Sequence, residues 1–197
     1  MFINYNDLTF LLFFIAIIPK KIRLKMYKIL LLFLYISLYA HPHCFIEVYP
    51  KVTIKNNSTQ NITFTWKIDE MTSMSLMSEI DSNGNSKLDK NEIPYIRDTY
   101  FMSLKTANFY TYVKNKKTPI PYKITNFNAK YENNKVNYIF SIKTKTPIPI
   151  KNLNIYFYDS DFFVAMILKK EFLEKNSPFE VKDYDGDYCF GYILKGK

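Results

Sequence analysis

Apolar and polar positions alternate with a period of two through most of the chain after residue 44, which predicts a protein made mainly of β-strands. These runs are rich in β-branched and aromatic residues and are bounded by residues that favour turns. The predicted strands are Phe45–Ile54, Asn61–Ile68, Pro121–Tyr131, Lys135–Thr144, Asn152–Tyr158, Phe162–Leu168, Pro178–Lys182 and Asp187–Leu194. Short strands at this spacing predict a mainly β (α+β) fold, an antiparallel β-sandwich-like domain.

Turn residues separate these strands in pairs. Lys55-Asn56-Asn57-Ser58 divides the first two strands, and Glu132-Asn133-Asn134 divides a later pair that we expect to form a hairpin. Asn, Ser and Asp favour such positions because their side chains bond to the backbone of a turn.

A helical pattern interrupts the strands at about residues 70–105. Two sets of apolar residues recur every three or four positions, one before and one after a polar stretch of twelve residues. The sets are Met71, Met74, Met77 and Ile80, followed by Ile93, Ile96, Tyr100 and Leu104. This spacing predicts a helix, a loop and a second helix inserted into the β domain.

The polar stretch at residues 81–92 fits the template of an EF-hand calcium loop, which places oxygen ligands at positions one, three, five, seven, nine and twelve. The matching residues are Asp81, Asn83, Asn85, Lys87 through its carbonyl, Asp89 and Glu92. Calcium takes six to eight oxygen ligands, and a tightly wound loop gathers them. The sequence therefore predicts a calcium site here; the alternative is a polar loop that matches by chance.

One position of the loop departs from the template. Position six, normally Gly because its φ is positive, is Ser86, and the strain costs about 1 kcal/mol. Only three carboxylates face the ion, so we expect an affinity of roughly 0.1–1 mM, typical of extracellular modules. A single loop of this kind favours a structural role for calcium over a sensing role.

The first 40 residues have the layout of a secretory signal. Apolar runs at Leu8–Ile18 and Ile29–Ala40 flank a basic segment, and each is shorter than the roughly 20 residues that span a membrane. We predict a leader at 1–40, cleaved after Ala40, and a single β-rich domain at 41–197 in the periplasm. Residues 1–25 are untranslated if Met26 is the true start. The alternative is an uncleaved membrane anchor.

Cleavage after Ala40 would begin the mature chain at His41-Pro42-His43, which contains both histidines of the protein. The free amine and imidazole of His41, with the imidazole of His43, form a nitrogen set suited to copper, nickel or zinc. Pro42 has no N–H, which excludes the square-planar mode that uses a deprotonated amide. The alternative is that both histidines are solvated and only shape the entry into the first strand.

The two cysteines of the chain, Cys44 and Cys189, allow two alternative roles. In an oxidising compartment they would form a disulfide between the first and last strands; the alternative role for Cys44 is a thiolate ligand.

A hydrolase triad needs a packed histidine, and both histidines lie at the predicted terminus. The paired acids Asp159 and Asp161 read as solvated loop carboxylates. We therefore expect a protein that is not an enzyme.

The formal charge of +9 is shared between the leader and the rest of the chain, and only the second part bears on partners of the mature protein. The leader holds five basic residues and one acid, and the rest holds 22 basic and 17 acidic residues, a net of +5 spread along its length. Only Asn115-Lys116-Lys117, in a predicted turn, resembles a basic patch. Nucleic-acid binding needs basic residues gathered on one face, so we expect no nucleic-acid partner.

Several motifs together resemble one family. They are His41-Pro42-His43, Trp66, Asp69-Glu70-Met71, the loop 81–92, Phe109-Tyr110-Thr111-Tyr112, Tyr158-Asp159, Phe162-Phe163 and Cys189. This set, over about residues 40–190, resembles the periplasmic family called domain of unknown function one thousand and seven. The chain departs from that family at Ser86 and at Cys44.

The resemblance implies a periplasmic component of an uncharacterised ABC-type transport system, linked to nickel or cobalt permeases. Combined with the residues above, it predicts a non-enzymatic metal-binding accessory protein. Its cofactors would be calcium and one transition metal (Ni, Co, Cu or Zn), and its partner an inner-membrane metal permease. The alternative is a calcium-stabilised protein-interaction module that docks on such a permease.

Overall fold

Ten β-strands form two sheets in the described part of the chain. The computed structural model describes Pro19, Ile22, Tyr27, residues 43–186 and residues 189–197. The strands are β1 Cys44–Lys55, β2 Ser58–Ile68, β3 Thr111–Asn115, β4 Thr118–Pro119, β5 Tyr122–Glu132, β6 Lys135–Pro149, β7 Leu153–Tyr158, β8 Val164–Ile167, β9 Phe179–Gly186 and β10 Cys189–Gly196.

The first sheet has the strand order β5-β6-β2-β1-β8 and the second the order β4-β3-β7-β10-β9. Neighbouring strands are antiparallel, except that β8 runs parallel to β1. The mainly β prediction is confirmed. The sequence pattern missed β3 and β4, and β6 runs five residues beyond the predicted end at Thr144.

The apolar faces of the two sheets share one core. Phe64 of β2 packs against Phe140 of β6, with ring centroids 5.5 Å apart, and against Phe157 of β7, with centroids 5.6 Å apart. Phe157 belongs to the other sheet, so this contact joins the two layers. Core residues alternate with more exposed ones along each strand, which produced the period of two in the sequence.

Asparagine pairs build two of the hairpin turns. Asn56 and Asn57 join β1 to β2 with φ of 50° and 54°, and Asn133 and Asn134 join β5 to β6 with φ of 53° and 60°. Two consecutive positive φ angles match the right-handed twist of the flanking strands, and Asn adopts them more readily than most residues. The predicted turns are confirmed.

A helical segment lies between β2 and β3. Its elements are α1 Glu70–Ile80, α2 Ile93–Tyr95, a π-helical stretch Ile96–Phe101 and a 3₁₀ stretch Met102–Tyr110; short 3₁₀ turns also occur at Ile150–Asn152 and Lys170–Phe172. Ser73 connects α1 to the first sheet. Its hydroxyl donates to the carbonyl of Ile68 at 3.1 Å and accepts from the N–H of Val136 at 2.8 Å.

The predicted helix is present as α1, but only half of the apolar residues that indicated it are buried. Met77 and Ile80 are 8% and 2% exposed, whereas Met71 and Met74 are 73% and 64% exposed. Three residues advance an α-helix by about 300°, so four positions spaced by three spread over roughly half of its circumference. The second pair of residues reaches the core and the first pair faces away from it.

The element after the loop also differs from the predicted regular α-helix. Ile96 and Phe101, five residues apart, are both fully buried, whereas Tyr100 is partly exposed. A π-helix bonds residue i to residue i+5, so it places Phe101 and not Tyr100 over the same face as Ile96. Phe101 lies among Trp66, Phe109, Phe127, Tyr138 and Phe140, with ring centroids 4.5 to 6.3 Å apart.

A left-handed stretch leads into β3. Asn108, Phe109 and Tyr110 have φ of 50°, 49° and 46°, a conformation that costs about 1–2 kcal/mol for each non-glycine residue. The hydroxyl of Tyr122 donates to the carbonyls of Asn108 and Thr111, both at 2.8 Å, and thereby holds this stretch against β5.

The chain divides into two units, Met1–Ala40 and His41–Lys197. Apart from Pro19, Ile22 and Tyr27, the predicted signal and its cleavage point lie outside the described residues. Within the described ones, no helix combines the length and apolar character that crossing a membrane requires.

Candidate metal sites

The loop between α1 and α2 is wound around Asp81. The carboxylate of Asp81 accepts from the backbone N–H of Asn85 at 3.1 Å and from that of Ser86 at 2.7 Å. Ser86 has a φ of 58°, the left-handed conformation that the template assigns to position six. Ser86 therefore has a strained backbone conformation that glycine would adopt without strain.

Glu92 closes the loop at its far end. Its side chain is 6% exposed. One carboxylate oxygen accepts from the N–H of Ser82 at 2.9 Å and from its hydroxyl at 3.0 Å, and the other accepts from the N–H of Asp89 at 2.9 Å. A buried carboxylate is thereby placed inside the loop, bonded to both of its ends.

Asp89 is bonded to the two loop asparagines. The side-chain amides of Asn83 and Asn85 donate to one oxygen of Asp89, both at 2.9 Å, and these bonds hold the pKa of Asp89 below its usual value. Leu88 is partly buried against the core, as the template requires at position eight. Lys87 is in the same turn, and its N–H donates to the side chain of Asn85.

The structure therefore brings all six predicted calcium residues into one loop. Asp81, Asp89 and Glu92 take part in no ion pair among the described residues. In the described part of the chain, however, no three His, Cys, Asp or Glu side chains converge closely enough to hold a metal ion. The carboxylates of the loop are instead bonded to its amides.

The predicted transition-metal residues lie at the start of β1, and His41 falls outside the described residues. His43 is exposed, and its ring stacks on Phe163 with centroids 6.3 Å apart. The N–H groups of His43 and Cys44 both donate to the carbonyl of Phe163, at 2.9 and 3.2 Å. These contacts hold the strand end but leave the imidazole facing solvent.

Asp159 stabilises the turn that contacts this end of β1. It is 6% exposed and accepts from the N–H groups of Asp161, Phe163 and Val164 at 3.0 to 3.1 Å. Its interpretation as a solvated loop carboxylate was wrong, because burial is offset by three backbone hydrogen bonds that the sequence does not reveal. Asp159 therefore fixes the turn on which His43 rests.

The disulfide expected between Cys44 and Cys189 is absent, and both thiols are free. Cys44 opens β1 in the first sheet, where its thiol lies beside the side chains of Thr72 and Asp69, while Cys189 opens β10 in the second sheet opposite Gly186. Burial raises the pKa of the Cys44 thiol to about 11. Cys44 is therefore protonated at neutral pH in the metal-free protein.

Asp69 joins the start of β1 to the N-terminus of α1. Its carboxylate caps α1 by accepting from the N–H of Thr72 at 3.0 Å, and it also accepts from the N–H of Phe45 in β1 at 2.9 Å. Burial raises the pKa of Asp69, but these hydrogen bonds outweigh it and leave the pKa lowered. This capping role was missed, although an Asp three residues before the capped N–H is a recognisable helix start.

Comparison with known proteins adds the family. The family described as "Protein of unknown function (DUF1007)" matches residues 26–182, which include the loop at 81–92, His43 and Asp159. The chain belongs to the DUF1007 family. No solved structure matches the chain.

Two relatives are similar over much of their length. An uncharacterised 15.5 kDa protein in the trpE 3′ region of Spirochaeta aurantia is 30% identical over 114 residues, 56% of this chain and 77% of the relative. An uncharacterised protein of Haemophilus influenzae is 23% identical over 175 residues, 88% of this chain and 73% of the relative. Neither name states a function for a DUF1007 protein.

Proposed function

We propose that this DUF1007 protein is a non-enzymatic metal-binding accessory protein of the periplasm, in which calcium stabilises the helical segment. The single observation that supports calcium most strongly is the left-handed Ser86 with its N–H bonded to Asp81. A chain accepts such strain at a non-glycine residue where the surrounding structure requires the conformation. Ser86 thereby has the conformation that a calcium loop requires at its sixth position.

The loop residues fit a calcium ion by their chemistry. Side-chain oxygens of Asp81, Asn83, Asn85 and Asp89, the carbonyl of Lys87 and both oxygens of Glu92 are the hard donors that calcium prefers. To bind, Glu92 and Asp89 must exchange their present bonds with loop amides for bonds to the ion. That exchange is consistent with an affinity in the millimolar range.

Replacing Glu92 with Gln should remove the effect of calcium on stability. At ten times its dissociation constant, calcium stabilises the native protein by about 1.4 kcal/mol, which raises the melting temperature by roughly 3–6 °C. Glu92→Gln keeps the size of the side chain but removes the charge, so its melting temperature should not respond. Scanning calorimetry with calcium or with a chelator measures the difference.

Glu171→Gln is the matched control, because Glu171 is exposed and far along the chain from the loop. It should retain the full response to calcium. An equal response in Glu92→Gln, or no response in the native protein, would show that the loop does not bind calcium.

We extend the proposal to a transition metal at the mature terminus. The His43 imidazole is exposed and Pro42 lacks an N–H, so imidazole and amine nitrogens of His41 and His43 are the ligands we propose. Delivery of nickel, cobalt, copper or zinc to an inner-membrane permease is the role that such a terminus suits. The resemblance described above supports the periplasmic location and the permease partner.

His43→Ala should lose this metal and keep its fold. Native mass spectrometry of the exported protein, purified without chelator or tag and exposed to Cu²⁺, Ni²⁺ and Zn²⁺, reports the terminus and the bound ions together. We expect a chain that starts at His41 and carries one such ion, which His43→Ala loses and Cys44→Ser retains. Equal metal binding by His43→Ala would contradict the site.

A further inference from the structure

The positive charge of the domain is concentrated in one part of the chain. Between Thr99 and Tyr158 there are ten lysines and a single acid, Glu132. The rest of the chain after residue 40 holds 12 basic and 16 acidic residues. Our sequence-based interpretation of an evenly spread excess was therefore wrong, because it counted the whole domain together.

This lysine-rich stretch forms strands β3 to β7, and Tyr122 at the start of β5 lines three adjoining cavities there. Their volumes are about 640, 580 and 290 Å³. Two of them share Phe109 and Lys105, and two share Lys123 and Thr125. We call these three adjoining cavities around Tyr122 together the β5 groove.

Every charged side chain that lines the β5 groove is basic. The six are Arg97, Lys105, Lys114, Lys123, Lys143 and Lys145. Arg97 is paired with Asp98 at 2.7 Å, and the ammonium of Lys114 lies over the ring of Tyr156 at 4.2 Å. Among the described residues, the other four form no ion pair.

Two of these lysines face each other across the strands. Lys123 of β5 is the register partner of Lys143 of β6, and like charges in directly opposed positions destabilise a sheet. Lys145 follows two residues later on β6. Gln60 reinforces that strand by donating to the carbonyls of Thr144 and Lys145, at 2.9 and 3.0 Å. An anionic partner would relieve the repulsion.

The shape of the β5 groove favours one class of anionic partner. Phe109, Ile120 and Pro121 supply apolar walls, and β5 is the last strand of its sheet. An edge strand offers unpaired N–H and C=O groups to an added strand. The segment Tyr122–Thr125 is in regular register with β6 and precedes the irregularity at Asn128. A concave site with an open strand edge fits an extended peptide better than a flat bilayer.

We propose that the β5 groove binds an extended acidic segment of a partner protein, which pairs its backbone with β5 and its carboxylates with the surrounding lysines. Apolar side chains of the same segment would lie against Phe109, Ile120 and Pro121. This site is separate from both metal sites, so its existence does not depend on the proposed metal binding.

Fluorescence anisotropy with a short labelled peptide that alternates Glu and Val tests this site on the whole exported protein. The groove variant replaces Lys123, Lys143 and Lys145 with Gln, and the control variant replaces Lys55, Lys170 and Lys175, exposed lysines outside the groove. Loss of three exposed charge pairs should weaken binding about tenfold in the groove variant. The control variant should bind as the native protein does.

Three further measurements separate this proposal from others. The melting temperature of the groove variant should not fall, since the change removes a like-charge contact. A peptide that alternates Lys and Val should not bind, and neither should a Glu-Val peptide interrupted by Pro, which cannot pair with β5. Equal binding by the two variants would overturn the proposal, as would tighter binding to phosphatidylglycerol vesicles or to a single-stranded oligonucleotide than to the acidic peptide.

Discussion

Phe101→Ala is expected to lower the free energy of unfolding by about 3–5 kcal/mol. Phe101 is fully buried, and its ring contacts five other aromatic rings from β2, β5, β6 and the segment before β3. Truncation removes these contacts and leaves a cavity that neighbouring rings cannot fill. Chemical denaturation with urea, monitored by the fluorescence of Trp66, measures the loss.

Phe190→Ala is the control for this prediction, because Phe190 is 57% exposed. Its loss should be about 1 kcal/mol or less, in the range of ordinary surface substitutions. If Phe101→Ala costs no more than Phe190→Ala, the helical segment is not packed into the core in solution. In that case the calcium loop would also lack the rigid support that the proposal assumes.

Gly191→Ala is expected to destabilise the second sheet by about 2–4 kcal/mol. A Cβ at Gly191 would contact the carbonyl oxygen of Phe157 and lie 2.9 Å from the Cβ of Tyr158. Both atoms belong to β7, the strand paired with β10, so relief of the contact would require the two strands to separate. Calorimetry without calcium measures the change in stability.

Gly84→Ala provides the contrasting glycine. Gly84 has a φ of 68°, and no atom lies within 4 Å of a Cβ built there. Its substitution should cost only the backbone strain of about 1–2 kcal/mol. A larger loss at Gly84 than at Gly191 would contradict the close pairing of β7 and β10.

The strands were predictable because their burial alternates with the same period as the side chains of any strand. Phe64 and Trp66 are buried while Thr65 is not, and this alternation is visible in the sequence. The buried face of α1 was harder to predict, because residues spaced by three lie on several faces of a helix. Met71 and Met74 share the helical spacing of Met77 and Ile80, but they are exposed.

The π-helical turn after the loop was beyond local prediction. A regular α-helix from Ile93 would have satisfied the backbone equally well, and the extra residue in the turn is decided by the fit of Phe101 among rings from distant strands. The same holds for Asp159, whose burial depends on three N–H groups presented by one turn. Neither arrangement has a signal in nearby residues.

The sequence by itself determined the β class of the domain, two of its hairpin turns and the loop at 81–92, because each depends on residues close together in the chain. Only the tertiary structure decided that Cys44 and Cys189 lie in different sheets with free thiols, and that Lys123 faces Lys143 beside an open strand edge. Strand order and register bring residues together from distant parts of the chain. The local sequence pattern does not reveal that pairing, because the pairing is set by how the two sheets share one core.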